Sequence, residues 1–372
     1  MCIRDSDGNG ICDDGDGSIA RPLIEPVGEV VNDQFGGAVS GAGDFNGDGY
    51  ADVIVGADKA DAEGTGAGRA YIFFGGPEAD AVADVVFTGI YDDDRFGDEV
   101  SSAGDLNQDG YDDVIVGSWH FPGGGGVGRA YVYFGGPLAL DPKIFWSHGD
   151  YGFGNSVSGA GDINGDGYPD LIIGAGQGGP QHLGRVQVFY GSPGMDTTAD
   201  LTIDSDIEGG QFGRSVSGAG DVNGDGYDDF IVGADQAATA NLPGVHKGMA
   251  FLYFGGPIAD EVPDLVMHGE HHHDLFGAFV SDAGDVNGDG YDDWMVGASG
   301  NDAGGENSGR AYVFHGGPGL DAVPDLILTG PTPNTYLGVG ASAGDVDGDG
   351  YGDLILGSGS SDVEGENVGR TY

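Results

Sequence analysis

The sequence predicts an all-β fold, a β-propeller of four-stranded blades, and two features of the chain support this prediction. One acidic phrase recurs six times, with its first Asp at positions 44, 105, 162, 221, 285 and 345. This spacing of about 60 residues is in the range of a propeller blade. Glycine accounts for 79 of the 372 residues, which indicates many tight turns between short elements. Units of four short strands repeated around an axis form a propeller.

Each repeat contains the same elements in the same order. An alternating stretch such as 38–40 precedes the acidic loop, and a short apolar run such as 53–56 follows it. A variable loop comes next, and a second apolar run follows it at 68–76 in the first copy. A third and less apolar run, 83–88, completes the unit. Runs of this length bounded by Gly and Asp are typical of β-strands, and no segment shows sustained helical periodicity. A Phe-Gly pair opens each unit at Phe35, Phe96, Phe153, Phe212 and Phe276, with Leu337 replacing Phe in the sixth.

The charge of the chain restricts its partners. There are 62 Asp and Glu residues against 12 Lys and Arg, a formal net charge of −50. Such a polyanion repels phosphate, so we expect neither nucleic acid nor an anionic membrane surface as a partner. No apolar run reaches the roughly 18–20 residues that span a bilayer, so membrane insertion is not expected either. Bound cations are the obvious way to balance the clustered carboxylates.

The acidic loop places oxygen-bearing side chains at fixed positions. In the first copy Asp44, Asn46, Asp48 and Asp52 occupy positions 1, 3, 5 and 9, and Gly49 occupies position 6. Ca²⁺ takes about six to eight oxygen ligands, and Gly at position 6 allows a sharp turn around the ion. Asp, Asn and Gly also build turns without a metal. Because all six copies keep oxygen ligands at all four positions, the pattern favours calcium over a simple turn, and over Mg²⁺ with its strict octahedral geometry.

The same spacing opens an EF-hand loop, and position 12 distinguishes the two kinds of site. An EF-hand requires a bidentate Glu at that position and a helix on either side. Here position 12 is apolar in every copy and falls in a predicted strand, so the EF-hand is excluded. The six residues are Val55, Val116, Ile173, Val232, Val296 and Leu356.

The complete unit, with its Phe-Gly pair, acidic loop and Gly-Arg-Ala-Tyr run, resembles an FG-GAP repeat. FG-GAP repeats are the blades of the integrin α-subunit propeller and of many bacterial surface proteins, and the resemblance extends from about Phe35 to Tyr372. It implies a calcium site in the hairpin between the first two strands of each blade, hence about six structural Ca²⁺ ions held by oxygen ligands. The residue at position 7 would donate its backbone carbonyl.

Carried over copy by copy, the resemblance implies side-chain ligands at positions 1, 3, 5 and 9 and a carbonyl ligand at position 7. The first three copies give Asp44, Asn46, Asp48, Tyr50, Asp52, Asp105, Asn107, Asp109, Tyr111, Asp113, Asp162, Asn164, Asp166, Tyr168 and Asp170. The last three give Asp221, Asn223, Asp225, Tyr227, Asp229, Asp285, Asn287, Asp289, Tyr291, Asp293, Asp345, Asp347, Asp349, Tyr351 and Asp353.

The ends of the chain differ from the repeats. Residues 1–6 carry no strand pattern and resemble the translation of a sequencing adapter, so we expect them to be foreign to the protein. Residues 7–22 form an acidic linker similar to a thrombospondin type-3 calcium stretch. Residues 23–372 are expected to form the propeller, truncated at its C-terminal end inside a repeat. Leu23 to Val31 looks like the last strand of a preceding blade. If this strand pairs with the sixth unit, the ring has six blades; if the truncated end continues into a further unit, the ring has seven.

The segment from His268 to Asp274 allows two interpretations. It contains His268, His271, His272, His273 and Glu270, which together could hold a transition metal. The alternative is an exposed loop before Phe276, since no other copy of the repeat has this composition.

The variable loops are expected on the face opposite the calcium loops. Their aromatic and polar side chains either contact a ligand or pack locally over Gly-rich turns such as 123–126. The residues concerned are Tyr91, Trp119, His120, Phe121, Gln181, His182, His246, Lys247 and Tyr336.

The sequence predicts a secreted or surface-exposed adhesion or ligand-binding module without enzymatic activity of its own. Extracellular calcium modules have dissociation constants on the order of 10⁻⁴–10⁻³ M, which only a millimolar calcium concentration saturates. The ligand would be a protein or a glycan. No Gly-x-Ser-x-Gly nucleophile elbow occurs in the sequence. Two other functions stay open, namely an accessory domain of a secreted hydrolase whose catalytic part lies elsewhere, and a structural surface-layer or stalk element.

Overall fold

Strands dominate the computed structural model of this chain. It describes residues 26–29, 32–60, 66–120, 127–137, 142–207, 209–238, 245–346, 348–361 and 368–371. Within these residues it contains 22 strands and one 3₁₀ turn, Pro180–His182. The all-β prediction is confirmed.

The strands form six consecutive blade units in which neighbouring strands pair antiparallel in chain order. The first unit contains β1 (Val39–Gly43), β2 (Asp52–Ala57), β3 (Arg69–Phe73) and β4 (Val85–Thr88). The second and third contain β5 (Glu99–Gly104), β6 (Asp113–Ser118), β7 (Val127–Tyr133), β8 (Lys143–Gly159), β9 (Leu171–Gln177), β10 (Arg185–Phe189) and β11 (Leu201–Asp204). The fourth contains β12 (Ser215–Gly220), β13 (Asp229–Ala234), β14 (Met249–Tyr253) and β15 (Leu265–His268).

The last two units follow the same pattern. The fifth contains β16 (Phe276–Gly284), β17 (Asp293–Ala298), β18 (Arg310–Phe314) and β19 (Leu326–Thr329). The sixth contains, within the residues described, β20 (Leu337–Gly344), β21 (Asp353–Ser361) and β22 (Val368–Thr371).

The second and third units share strand β8, which differs from the prediction of four separate short strands in each unit. The first part of β8 pairs with β7 and its second part with β9, and Tyr151 lies opposite Val127 in one pairing and Gln177 in the other. The connection from Phe145 to Phe153 is one residue shorter than the equivalent connection in the previous unit. The chain therefore passes from one blade to the next without a separating loop.

The first strand of each unit lies next to the first strands of the neighbouring units. Strands β1, β5, β8, β12, β16 and β20 contact one another in chain order. Serine hydroxyls connect some of them, because Ser156 Oγ accepts the Val216 amide at 3.0 Å and Ser215 Oγ accepts the Val280 amide at 3.0 Å. With the other strands of each unit following in order from this inner strand, the architecture is that of a β-propeller.

The apolar core lies between neighbouring blades. One buried cluster combines Phe45, Ile54 and Phe87 of the first unit with Phe96 and Tyr131 of the second. The rings of Phe96 and Tyr131 meet edge to face, with their centroids 5.1 Å apart. The aromatic residue of the Phe-Gly pair is therefore part of the contact surface between two blades.

Close backbone approach between blades requires the glycine near the end of the second strand. A Cβ atom on Gly56 would overlap the carbonyl oxygen of Gly97, which belongs to the next Phe-Gly pair. Gly97 itself has φ of 87°, in the region that favours glycine. The same contact recurs between Gly117 and Gly154, Gly174 and Gly213, Gly233 and Gly277, and Gly297 and Gly338.

Some predictions concern residues that the structure does not describe. Residues 1–6 and 7–22 lie outside the described residues, as do Phe121 and Asp347. The segment 23–31 is described only at 26–29, and these four residues form no strand.

Candidate metal centres

The six acidic loops share one position in the fold. Each connects the first strand of a unit to its second, so in the first unit the loop lies between β1 and β2. Because consecutive strands run antiparallel, all six loops project from one face of the propeller, and the loops joining second to third strands project from the other. Position 12 lies inside the second strand in every unit, which confirms that these loops are not EF-hands.

The Asp at position 1 holds the turn around its own carboxylate. Asp44 Oδ1 accepts the amide of Asp48 at 2.9 Å, and Asp44 Oδ2 accepts the amide of Gly49 at 2.8 Å. The φ of Gly49 is 90°, so position 6 requires glycine. The same pair of bonds, at 2.8–3.0 Å, forms around Asp105, Asp162, Asp221, Asp285 and Asp345.

The side chains at positions 3 and 5 converge on the same turn. Asn46 Oδ1 accepts the Asp48 amide at 2.8 Å, and Asn46 Nδ2 donates to Asp48 Oδ2 at 3.0 Å. Asp48 Oδ1 in turn accepts the Tyr50 amide at 3.0 Å. The loop therefore gathers oxygen atoms from three side chains on one exposed turn, as a hard cation requires.

In the first five loops the Asp at position 9 is buried, and both of its oxygens accept backbone amides. Asp113 Oδ2 accepts the amide of Leu106 at 2.9 Å, and Asp113 Oδ1 accepts that of Gly135, beyond the third strand, at 2.8 Å. Asp52, Asp170, Asp229 and Asp293 make equivalent pairs of bonds. These two hydrogen bonds connect the acidic loop to the end of the third strand of the same blade, and they do not depend on a bound metal.

Burial raises the pKa of the position-9 carboxyl groups. For Asp113, Asp170 and Asp229 the pKa rises to about 7, because burial outweighs the two amide hydrogen bonds and because other carboxylates of the same loop repel the charge. Burial is likewise the main cause that raises the pKa of Asp52 and Asp293. A cation in each loop would offset this concentration of negative charge.

In the second, fourth and fifth units the Tyr at position 7 packs against the preceding blade. The ring of Tyr111 lies so close to Gly47 that a Cβ atom there would overlap Tyr111 Cε1. Tyr227 covers Gly165, and Tyr291 covers Gly224, in the same way. The family resemblance implied only a backbone carbonyl ligand at this position, and the contact of its ring with the preceding blade was not predicted.

A second contact between blades comes from position 8, which the sequence analysis did not single out. Asp112 Oδ2 accepts the amide of Asp44, the first residue of the preceding loop, at 2.7 Å. Asp228 and Asp292 make the same bond to Asp162 and Asp221, at 2.6 and 3.0 Å. The repeated Asp-Asp pairs at 112–113, 228–229 and 292–293 were the signal available in the sequence.

The opposite face contains a cavity of about 660 Å³ at the beginning of the inner strands of the first five units. Its wall includes Asp98, Glu99, Trp119, Tyr151 and Arg214. Burial, and then the neighbouring Asp98, raises the pKa of Glu99 to about 8, whereas Arg214 lowers it. The cavity therefore combines acidic, basic and aromatic groups.

Several of the variable-loop residues make local contacts on this face. The guanidinium of Arg95 lies 5.4 Å from the ring centre of Trp119, and that of Arg129 lies 4.6 Å from the ring centre of Tyr91. Tyr91 and Tyr336 are nevertheless 41% and 39% exposed. The rings of Trp119 and Tyr91 thus have arginine partners, and the exposed parts of Tyr91 and Tyr336 are accessible to a ligand.

A family model described as FG-GAP repeat matches residues 35–73, 96–133, 153–189, 212–248 and 279–314. These segments contain the first five acidic loops with the strands on either side. The chain belongs to the FG-GAP repeat family.

Relatives of this FG-GAP chain include integrin alpha chains and a phospholipase. Integrin alpha-5 of Xenopus laevis is 33% identical over 200 residues, covering 50% of this chain and 18% of that protein. Integrin alpha-PS2 of Drosophila melanogaster is 35% identical over 216 residues, covering 54% and 15%. Phosphatidylinositol-glycan-specific phospholipase D of Homo sapiens is 32% identical over 210 residues, covering 49% and 24%. The matches thus span less than a quarter of each relative.

In the part of this FG-GAP chain that the structure describes, no helix is long and apolar enough to cross a bilayer.

Proposed function

We propose that this chain is an extracellular, calcium-binding propeller that binds a protein or glycan ligand through the face opposite its metal loops. The observation that supports it most is the convergence, in each fully described loop, of oxygen atoms from positions 1, 3 and 5 on one turn closed by a glycine. In the first copy these are Asp44, Asn46 and Asp48. The similarity to integrin alpha chains also supports the proposed extracellular ligand-binding role.

The proposed role of calcium is structural. The ligands are the oxygen atoms at positions 1, 3, 5 and 9 with the carbonyl at position 7, in about six loops, because Ca²⁺ takes roughly six to eight oxygens. A bound dication supplies positive charge where several carboxylates crowd together. The first loop also contacts the next blade, through the bond from the Asp44 amide to Asp112, so ordering this loop would stabilise two blades.

The proposed ligand surface is the cavity of about 660 Å³ and the variable loops around it. Aromatic side chains held by arginines, such as Trp119 beside Arg95, are suited to contact a sugar ring or a protein side chain. The calcium loops lie on the other face, so calcium would affect ligand binding only through the stability of the blades.

Glycan arrays and cell-binding assays, each with Ca²⁺ and with EGTA, test this proposal. We expect binding in calcium, reduced binding in EGTA, and reduced binding by Trp119→Ala at an unchanged calcium content. An absence of binding to glycans, cells and matrix proteins by the calcium-loaded chain would instead favour a structural surface-layer or stalk element.

A second candidate function rests on the similarity to phosphatidylinositol-glycan-specific phospholipase D. In this case the propeller would be an accessory domain of a secreted hydrolase whose catalytic part lies elsewhere in a longer protein. Amplifying the intact gene from its source distinguishes the two candidates. A catalytic domain in the same reading frame favours the hydrolase, whereas surface anchors or further repeats favour the binding module.

A further inference from the structure

The turn between β15 and β16 brings together three metal-ligating side chains outside the acidic loops. Glu270, His271 and Asp274 each place a ligand atom within 4.8 Å of the other two. His271 Nδ1 lies 3.8 Å from Glu270 Oε2 and 3.7 Å from Asp274 Oδ2. Two ligands of a tetrahedral ion with bonds of about 2.0–2.1 Å lie about 3.4 Å apart, so each of the two distances from His271 is within about 0.4 Å of this spacing.

The two carboxylates are held by the following blade. Asp274 is buried, and its Oδ2 accepts the His271 amide at 2.8 Å and Asn301 Nδ2 at 3.0 Å. Arg310 Nη1 donates to both oxygens of Glu270, at 3.1 and 2.8 Å. Outer contacts of this kind orient the ligands of metal sites in proteins.

The imidazole, in contrast, is free to approach an ion from solution. The side chain of His271 is 78% exposed, so it adjusts at little cost. We propose that Glu270, His271 and Asp274 form a binding site for a transition metal of the zinc class, separate from the calcium loops. Imidazole nitrogen suits zinc and its neighbours, whereas Ca²⁺ and Mg²⁺ prefer a shell made only of oxygen.

The formal charges around the site balance before any ion is bound. Glu270 and Asp274 bring two negative charges, and Arg310 brings one positive charge at 2.8 Å from Glu270. Lys247 Nζ also lies nearby, donating to the backbone oxygen of Glu270 at 2.6 Å. Arg310 and Lys247 thus offset the charge of the two carboxylates, so a bound ion would be held mainly by strong ligand bonds of the kind that zinc-class ions form with imidazole nitrogen.

A neighbouring pair of imidazoles is a competing location for the metal. His246 Nδ1 lies 2.6 Å from the carbonyl oxygen of Gln236, so it carries the proton and leaves Nε2 available. The ring of His272 lies with its centre 6.1 Å from that of His246. The experiment below therefore separates the two locations.

The test is titration of the calcium-saturated full chain with Zn²⁺, measured by calorimetry and by competition with a chromogenic zinc indicator. We expect one zinc ion per chain at this site, at least about tenfold weaker binding by His271→Ala, and a similar loss for Asn301→Ala, which frees Asp274. His182→Ala is the matched control, because it removes an imidazole from a variable loop of another blade and should leave zinc affinity unchanged.

X-ray absorption spectroscopy of the zinc-loaded protein provides a second readout that does not depend on a variant. We expect one imidazole in the zinc shell, with oxygen ligands making up the rest. Three results would overturn the assignment: no zinc binding by the calcium-saturated chain, undiminished binding by His271→Ala, or a shell with two imidazoles together with loss of binding in His246→Ala. Thermal melts of each variant verify that the chain is folded.

Discussion

The backbone amide of Asp44 donates a 2.7 Å hydrogen bond to Oδ2 of Asp112, 68 residues along the chain and in the next blade. Asp44 is also the residue around which the first acidic loop is folded. One carboxylate from the second blade therefore fixes the first residue of the metal loop in the first blade. The contact between two blades and the proposed metal site therefore meet at one residue, Asp44.

Asp112→Ala should destabilise the protein because it leaves the half-buried Asp44 amide without its acceptor. Removing a charged acceptor from a partly buried amide costs about 1–3 kcal/mol. Urea denaturation in saturating calcium measures the change. Asp112→Asn is the matched control, because its side-chain oxygen still accepts the amide and the loss should be smaller. Equal stability of the wild type and Asp112→Ala would contradict this role.

The repeated pattern of the sequence was sufficient to predict the blades and the position of the acidic loops between their first two strands. The strands follow from short apolar runs between Gly and Asp, and position 12 excluded the EF-hand through Val55 and its equivalents. The contacts of Asp112 and Tyr111 with the preceding blade were not predicted, because they depend on how two blades are placed side by side. The fusion of two strands into β8 was also missed, since a connection one residue shorter leaves no clear signal.

Gly56→Ala should be strongly destabilising because the added methyl group would overlap the Gly97 carbonyl oxygen of the next blade. Overpacking of this kind costs about 1–3 kcal/mol or more, and here the obstacle is backbone that cannot rotate away. Gly41→Ala in β1 is the control, since a Cβ atom there meets no atom within 4 Å. The melting temperatures of the two variants test this, and we expect a larger decrease for Gly56→Ala than for Gly41→Ala. Equal decreases would argue against close approach of the blades.

Removal of calcium should lower the melting temperature of the whole chain. The loops contain several carboxylates at short range, and a single site at a hundred times its dissociation constant adds about 2.7 kcal/mol of stability. Circular dichroism melts in millimolar Ca²⁺, in excess EGTA, and in EGTA followed by excess Ca²⁺ measure the effect and its reversal. Coincident curves in Ca²⁺ and EGTA would exclude a structural role for calcium.

Asp221→Ala should remove one calcium ion per chain and leave the other loops occupied. Asp221 accepts the amides of Asp225 and Gly226, at 3.0 and 2.9 Å, so its loss opens the fourth loop alone. Native mass spectrometry counts the bound ions. Asp260→Ala, an exposed acidic residue outside the loops, removes the same charge and should leave the count unchanged. An unchanged count in Asp221→Ala would contradict the ligand assignment.

The cavity acid Glu99 should make the stability of the protein depend on pH. Burial, and then Asp98, raises the pKa of Glu99 from its ordinary value of 4.5 to about 8. Between these two values the folded protein keeps a proton that the unfolded chain has lost. The free energy of unfolding must therefore fall as pH rises through this window and level off above it. Asp98, with its pKa raised to about 6, acts in the same direction at lower pH.

Glu99→Gln should flatten this profile, because glutamine keeps the shape of the protonated acid and does not titrate. The variant should approach the wild type near pH 5 and exceed its stability near pH 8, where wild-type Glu99 must either stay protonated or carry a charge while half-buried in the cavity wall. Urea midpoints between pH 5 and 9, in saturating calcium throughout, measure the difference. Glu78→Gln on the exposed surface is the matched control. Parallel profiles for the wild type and Glu99→Gln would mean that solvent in the cavity already compensates the charge of Glu99.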